Sequence, residues 1–96
     1  MYQVHALKAA RKDIKKLSRG AANKIVNIGL LKISENPYTG LLLSGKFKNY
    51  WKYVFRYKGV SYRIVYQISK NENVILVIAI GPREKFYERL LRRLKG

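Results

Sequence analysis

Hydrophobic and polar residues alternate most regularly between Tyr50 and Tyr57. Trp51, Tyr53, Phe55 and Tyr57 fall on one parity, and Tyr50, Lys52, Val54 and Arg56 on the other. This is the period of a strand with one buried face, here apolar on one side and mostly cationic on the other. Lys58-Gly59 signals a turn, after which Tyr62, Ile64, Tyr66 and Ile68 oppose Arg63, Val65 and Gln67, predicting a second strand. If the two strands pair as a hairpin with a common core face, Lys52, Arg56 and Arg63 project together from the other face and form an anion site. After the polar turn Lys70-Asn71-Glu72-Asn73, Val74 to Ile80 is an unbroken apolar run, as expected of an interior strand covered on both sides.

Helical periodicity flanks these strands. Leu7, Ala10, Ile14 and Leu17 recur at helical spacing among Lys8, Arg11, Lys12, Lys15 and Lys16. From Ala21 to about Ser34, Ala22, Ile25, Val26, Gly29 and Ile33 form a second stripe. Ser18-Arg19-Gly20 separates the two helices, Asn36-Pro37 and Thr39-Gly40 end the second, and an antiparallel helical hairpin on one sheet face is expected. Tyr2 to His5 has the composition of a short first strand, and Leu41 to Leu43 is expected to tuck beneath the sheet. Gly81-Pro82 stops the sheet, and Arg83 to Leu94 reads as a terminal helix with Phe86, Tyr87, Leu90, Leu91 and Leu94 as its apolar side. Glu84 in its first turn and Arg92, Arg93 and Lys95 in its last complement the helix dipole. The predicted class is α+β: a two-helix hairpin packed on a small antiparallel sheet, closed by a short C-terminal helix, in one domain spanning residues 1–96 without internal repeats.

Charge adds a partner to this picture. Lys and Arg number 21 against 5 Asp and Glu, a formal charge of +16, and self-repulsion on that scale costs stability unless a polyanion is bound. Nucleic acid is the first candidate and an acidic protein the second. The chain has no cysteine, which excludes a disulfide framework, a thiol nucleophile and a cysteine metal site. Tyr2-Gln3-Val4-His5 lacks the basic start and apolar stretch of a signal peptide, and no apolar run approaches the ~20 residues of a membrane span, so a cytoplasmic protein is expected.

Leu43-Ser44-Gly45, the alternating basic strand, Ser61-Tyr62-Arg63-Ile64-Val65-Tyr66-Gln67, Gly81-Pro82-Arg83-Glu84 and Tyr87 together resemble the RelE/ParE toxin superfamily of type II toxin–antitoxin systems. The order and spacing of the motifs carry the resemblance, which covers nearly the whole chain. It implies a compact, microbial-RNase-like fold with an open sheet face used for RNA. The RelE branch cuts messenger RNA on the ribosome, whereas the ParE branch inhibits DNA gyrase without cutting RNA; fold alone does not choose between them. On the RelE reading, Lys52, Arg63, Arg83 and Tyr87 match the family's catalytic positions, and Lys46, Lys48 and Arg56 would bind RNA. Val54 stands where ribosome-dependent members often carry a second lysine, and Pro82 where a polar or basic residue often precedes the arginine. The resemblance also implies a cognate antitoxin, acidic or amphipathic, that joins the toxin in a hetero-oligomer and covers or displaces the terminal helix.

The residue types suit that chemistry. RNA carries its own nucleophile, the 2′-hydroxyl, so a cleaving protein need only align it with the adjacent phosphorus, take its proton and stabilise the transition-state charge. His5 is the single histidine, which closes the two-histidine route. Arg63 and Arg83 stay charged and suit phosphate oxygens, leaving proton transfer to Lys52 or Tyr87. With Asp13, Glu35 and Glu72 the only acids besides Glu84 and Glu88, a two-metal nuclease is not expected, and no cofactor is implied. Each residue also has a plainer reading: Lys52 as a solubilising strand residue, Arg63 stacked on Tyr62 and Tyr66, Tyr87 as core filler, and Trp51, Tyr53 and Phe55 as core. A non-catalytic RNA-binding module would satisfy the charge alone.

Overall fold

The computed structural model describes residues 1–82 and 86–95. The chain forms β1 (Gln3–Ala6), α1 (Lys8–Lys15), α2 (Arg19–Lys24), a π turn (Ile25–Gly29), α3 (Leu30–Glu35), β2 (Leu41–Leu42), β3 (Trp51–Tyr57), β4 (Val60–Ser69), β5 (Val74–Pro82) and α4 (Phe86–Lys95). One five-stranded sheet has the order β1-β5-β4-β3-β2. Its β2 to β5 neighbours are antiparallel, and β1 lies parallel to β5 with Gln3 opposite Val74. The α+β class holds, but the sheet is mixed: the helical hairpin carries the chain from β1 to β2 at the far edge, and the antiparallel run β2 to β5 works back until β5 lies parallel to β1.

Local sequence explains most boundaries. Ser18 opens α2 by accepting a hydrogen bond on its Oγ from the Ala21 N–H at 3.3 Å. The second predicted helix is continuous from Arg19 to Glu35 except that the hydrogen bonding slips to π spacing over Ile25–Gly29. Lys58 and Gly59 both have positive φ, 49° and 80°, which makes the two-residue connection that matches strand twist.

Two cores sit on opposite faces of the sheet. Beneath the helical hairpin, Ala10, Ile25 and Ile33 meet Ile64, Tyr66, Ile75, Val77 and Ile80, with Trp51, Tyr53 and Phe55 packed at the margin. Across the sheet, Phe86 and Leu90 of α4 cover Val65, Ile78 and Ala79. The strictly apolar run of β5 is thereby explained, since it feeds both cores. A bulge shifts the phase of the alternation: Val65 pairs with Ala79 but Tyr66 with Val77, leaving Ile78 as the extra residue. Val77 and Ile80, three apart, therefore both enter the first core.

The expectation for Leu41 to Leu43 needs correction. Leu41 and Leu42 pair with Lys52 and Trp51 as a two-residue edge strand and are 64% and 59% exposed, because nothing on the described chain packs over that edge. Leu43 alone turns in, toward the second core.

Candidate functional site

The predicted cationic face is formed by strand register. Lys52 pairs with Val65, Val54 with Arg63, and Arg56 with Ser61. Val54 and Arg63 are therefore direct neighbours, and Lys52 and Arg56 flank Arg63 on the two diagonals, a spacing of roughly 7–8 Å. Three cations converge about one exposed valine; Val54 is 42% exposed.

Arg63 is the pivot. Its guanidinium carbon lies 5.8 Å from the centre of the Tyr87 ring, within cation–π range. Its Nε and Nη1 are shielded from solvent and have no hydrogen-bond partner among the described residues. A charged donor left in that condition costs free energy that an oxygen-rich anion would recover. The plainer reading of Arg63 does not hold: Tyr62 stacks on Phe55 at 5.4 Å, and Tyr66 donates its hydroxyl to the Pro37 carbonyl at 2.7 Å, both on the hairpin side of the sheet. Burial pushes the Tyr66 phenol up to about 12. Tyr87, in turn, is half-buried and packs at the margin of the second core, with Phe86 and Leu90 taking the buried positions of α4.

Tyr87 also reaches the opposite wall. Phe47 lies 5.8 Å from it, and Phe47 belongs to the short 3₁₀ turn Gly45–Phe47. Lys46 and Lys48, the sequence neighbours of Phe47, are exposed. Lys52, Arg63, Arg56 and Tyr87 are thus brought together, with Lys46 and Lys48 on either side of the ring that meets Tyr87, while Arg83 and Glu84 lie outside the described residues. Among the described residues no group of three or more His, Asp or Glu side chains is placed to hold a metal ion.

Two contributors escaped sequence reading. Phe47 sits between two lysines, the aromatic-in-basic pattern that marks nucleic-acid surfaces. Asp13 is 3% exposed and lies between Ala10 and Ile14 on the apolar stripe of α1, where a carboxylate is out of place without a buried partner. Its oxygens accept from the Ile80 N–H at 3.0 Å and from Arg93 Nη1 and Nη2 at 2.8 and 3.2 Å, and Arg89 lies 3.8 Å away. Gly81, paired with Arg63, admits α4 closely: a Cβ there would stand 2.6 Å from Arg89 Nη2 and 3.1 Å from the Phe86 ring.

Comparison with known proteins bears on the family and the fold. A family model described as the ParE-like toxin of type II bacterial toxin–antitoxin systems matches residues 4–91. No curated protein matches the chain. Among solved structures, the toxin–antitoxin complex RelBE2 from Mycobacterium tuberculosis aligns with a TM-score of 0.74 at 22% identity, covering 85% of this chain and 91% of that one. The isolated E. coli RelE toxin aligns with a TM-score of 0.69 at 24% identity, covering 98% and 99%. The archaeal RelE–RelB complex from Pyrococcus horikoshii aligns at 0.59 and 18% identity, covering 88% and 97%. At these identities the likeness is one of fold.

Proposed function

Because the chain belongs to the ParE-like toxin family of type II bacterial toxin–antitoxin systems, we propose that it is a toxin of the RelE type, a ribosome-dependent endoribonuclease that stops translation by cutting messenger RNA. The observation that carries this reading is Arg63, whose two shielded guanidinium donors lack partners among the described residues beside Lys52 and Tyr87. Donors held in a partly dry site and aimed by an aromatic ring are what a phosphodiester transition state needs.

In the proposed reaction the 2′-oxygen bonds to phosphorus and the bond to the 5′-oxygen breaks, leaving a cyclic phosphate and a 5′-hydroxyl. Arg63 holds the non-bridging oxygens, with Arg83 as its partner on family resemblance. Lys52 or Tyr87 takes the 2′ proton, and Tyr87 is also suited to protonate the leaving oxygen. Lys46, Lys48 and Arg56 hold the flanking backbone. No metal or other cofactor enters. The site offers no histidine pair, so a substrate already bent by the ribosome supplies the in-line geometry.

The proposed protein partner is a cognate antitoxin with an acidic or amphipathic segment. Support comes from apolar side chains left open on the second helix, Val26 at 50%, Ile28 at 46% and Leu31 at 47%, and from the bare Leu41-Leu42 edge. Between this helix and β3, a hollow of about 180 Å³ combines Ile28, Tyr53 and Phe55 with Lys24 and Lys32. Several of the similar structures are toxin–antitoxin complexes.

One observation favours a second reading. Val54 places an exposed apolar side chain at the centre of the cationic face, against Arg63, which suits a protein-binding surface and hence a ParE-like gyrase inhibitor without nuclease activity. Expression in a translating extract with mapping of messenger RNA ends decides between them. Codon-phased cuts that vanish in Arg63→Ala support the nuclease. Intact RNA with blocked supercoiling supports the gyrase inhibitor, and RNA binding with neither effect leaves a docking module.

A further inference from the structure

The buried acid of α1 touches no part of the cationic face, yet its contacts lead there. On α4, Phe86 and Leu90 form a buried line down the helix. At about 100° per residue, Arg89 and Arg93 lie on one flank of that line and Tyr87 on the other. A helix held by apolar contact, Phe86 and Leu90 buried with Tyr87 and Leu94 part-buried beside them, can still roll, because hydrophobic contact is non-directional. Directional contacts fix the roll, and Asp13 provides them: Arg93 is gripped by both carboxylate oxygens and also donates to the Ile78 carbonyl at 3.0 Å. The same carboxylate accepts from Ile80 N–H, next to Gly81, which is the register partner of Arg63.

We propose that Asp13 is a positioning residue for the Arg63–Tyr87 site: by fixing the roll of α4 from one flank, it sets the Tyr87 ring on the Arg63 guanidinium at the other. The assignment rests on the reading of that site as the phosphate-handling one only for its effect on activity; the positioning itself is a matter of structure.

The test compares Asp13→Asn, Arg93→Gln and the double variant with wild type and with Arg92→Gln, which removes the same charge from an exposed position of α4. The Arg63 Nε–H resonance, shifted by the ring current of Tyr87, reports the contact directly; cleavage in the translating extract is read in parallel. Expected is a move of that resonance toward its solvent-exposed value in Asp13→Asn and Arg93→Gln, little further movement in the double variant, and no movement in Arg92→Gln. Cleavage falls on the order of 10²-fold in the same variants, the cost of about 1 Å of misplacement. An Arg63 resonance that stays in place in Asp13→Asn, or in folded Arg93→Gln if the former does not fold, overturns the proposal. If the resonance moves while wild type cleaves no RNA, the positioning stands and the nuclease reading fails.

Discussion

Arg63→Met separates function from stability in a single substitution. Methionine retains the apolar stem of the arginine and discards the guanidinium. In the free protein, two unpartnered charged donors are relieved, each worth about 1–3 kcal/mol when buried. Against this stand the lost contact with the Tyr87 ring, about 0.5–1 kcal/mol, and a discount because the rest of the side chain is part-exposed. Removing a cation between Lys52 and Arg56 adds to the gain. The net expectation is a variant more stable than wild type by about 1 kcal/mol, a rise in Tm of roughly 4–8 °C for a chain of this size. Urea denaturation in low-salt buffer free of phosphate and sulfate measures it. Inorganic phosphate should then stabilise wild type by about 1.4 kcal/mol at roughly ten times its Kd, and the variant by clearly less. On the proposed nuclease reading, cleavage of RNA disappears as well. A Met variant 1 kcal/mol or more below wild type, or equally stabilised by phosphate, would refute the idea that Arg63 is held ready for an anion.

Other outcomes follow from single contacts. Tyr66→Phe costs about 1 kcal/mol at neutral pH, because the Pro37 carbonyl loses its donor. With the folded phenol raised from 10.0 to about 12, its contribution to stability is full below pH 10 and is lost as pH climbs toward 12. The Phe variant lacks that loss and should show the shallower alkaline decline in a pH series of urea melts. Gly40→Ala keeps an allowed φ of −84° but drives a Cβ into the Lys52 carbonyl and the Tyr66 hydroxyl, so a loss of about 1–3 kcal/mol is expected by thermal melting. Lys46→Ala with Lys48→Ala should flatten the salt dependence of RNA binding by about 1.4 in the log–log slope, at ~0.7 per contact for single strands, and leave the fold intact by circular dichroism.

The strands and helices were legible because each carries a clean period. Trp51 to Tyr57 alternates, and the stripes through Ala10 and Ile14 and through Ile25 and Ile33 repeat at helical spacing, so burial decided structure locally. The convergence of Lys52, Arg56 and Arg63 followed from parity alone. Two features escaped because they depend on contacts across the chain. The parallel partnership of β1 with β5 leaves no local trace, since Tyr2 to His5 would suit any edge. The ring that receives Arg63 depends on where α4 comes to rest, which Asp13 governs from 80 positions away in sequence. Leu41 and Leu42 misled for a related reason: their apolarity predicted burial, whereas the surface that would cover them is not in the described part of this chain.

The pairing of Gln3 with Val74 gives the sheet a clasp that joins two strands far apart in sequence, β1 and β5. At about 5–20 residues per second of synthesis, the stretch between Ala6 and Val74 takes several seconds to make, and for that time β1 lacks its partner. The edge beside β5 is therefore completed late, and a copy cut short before Val74 lacks both the clasp and the final helix.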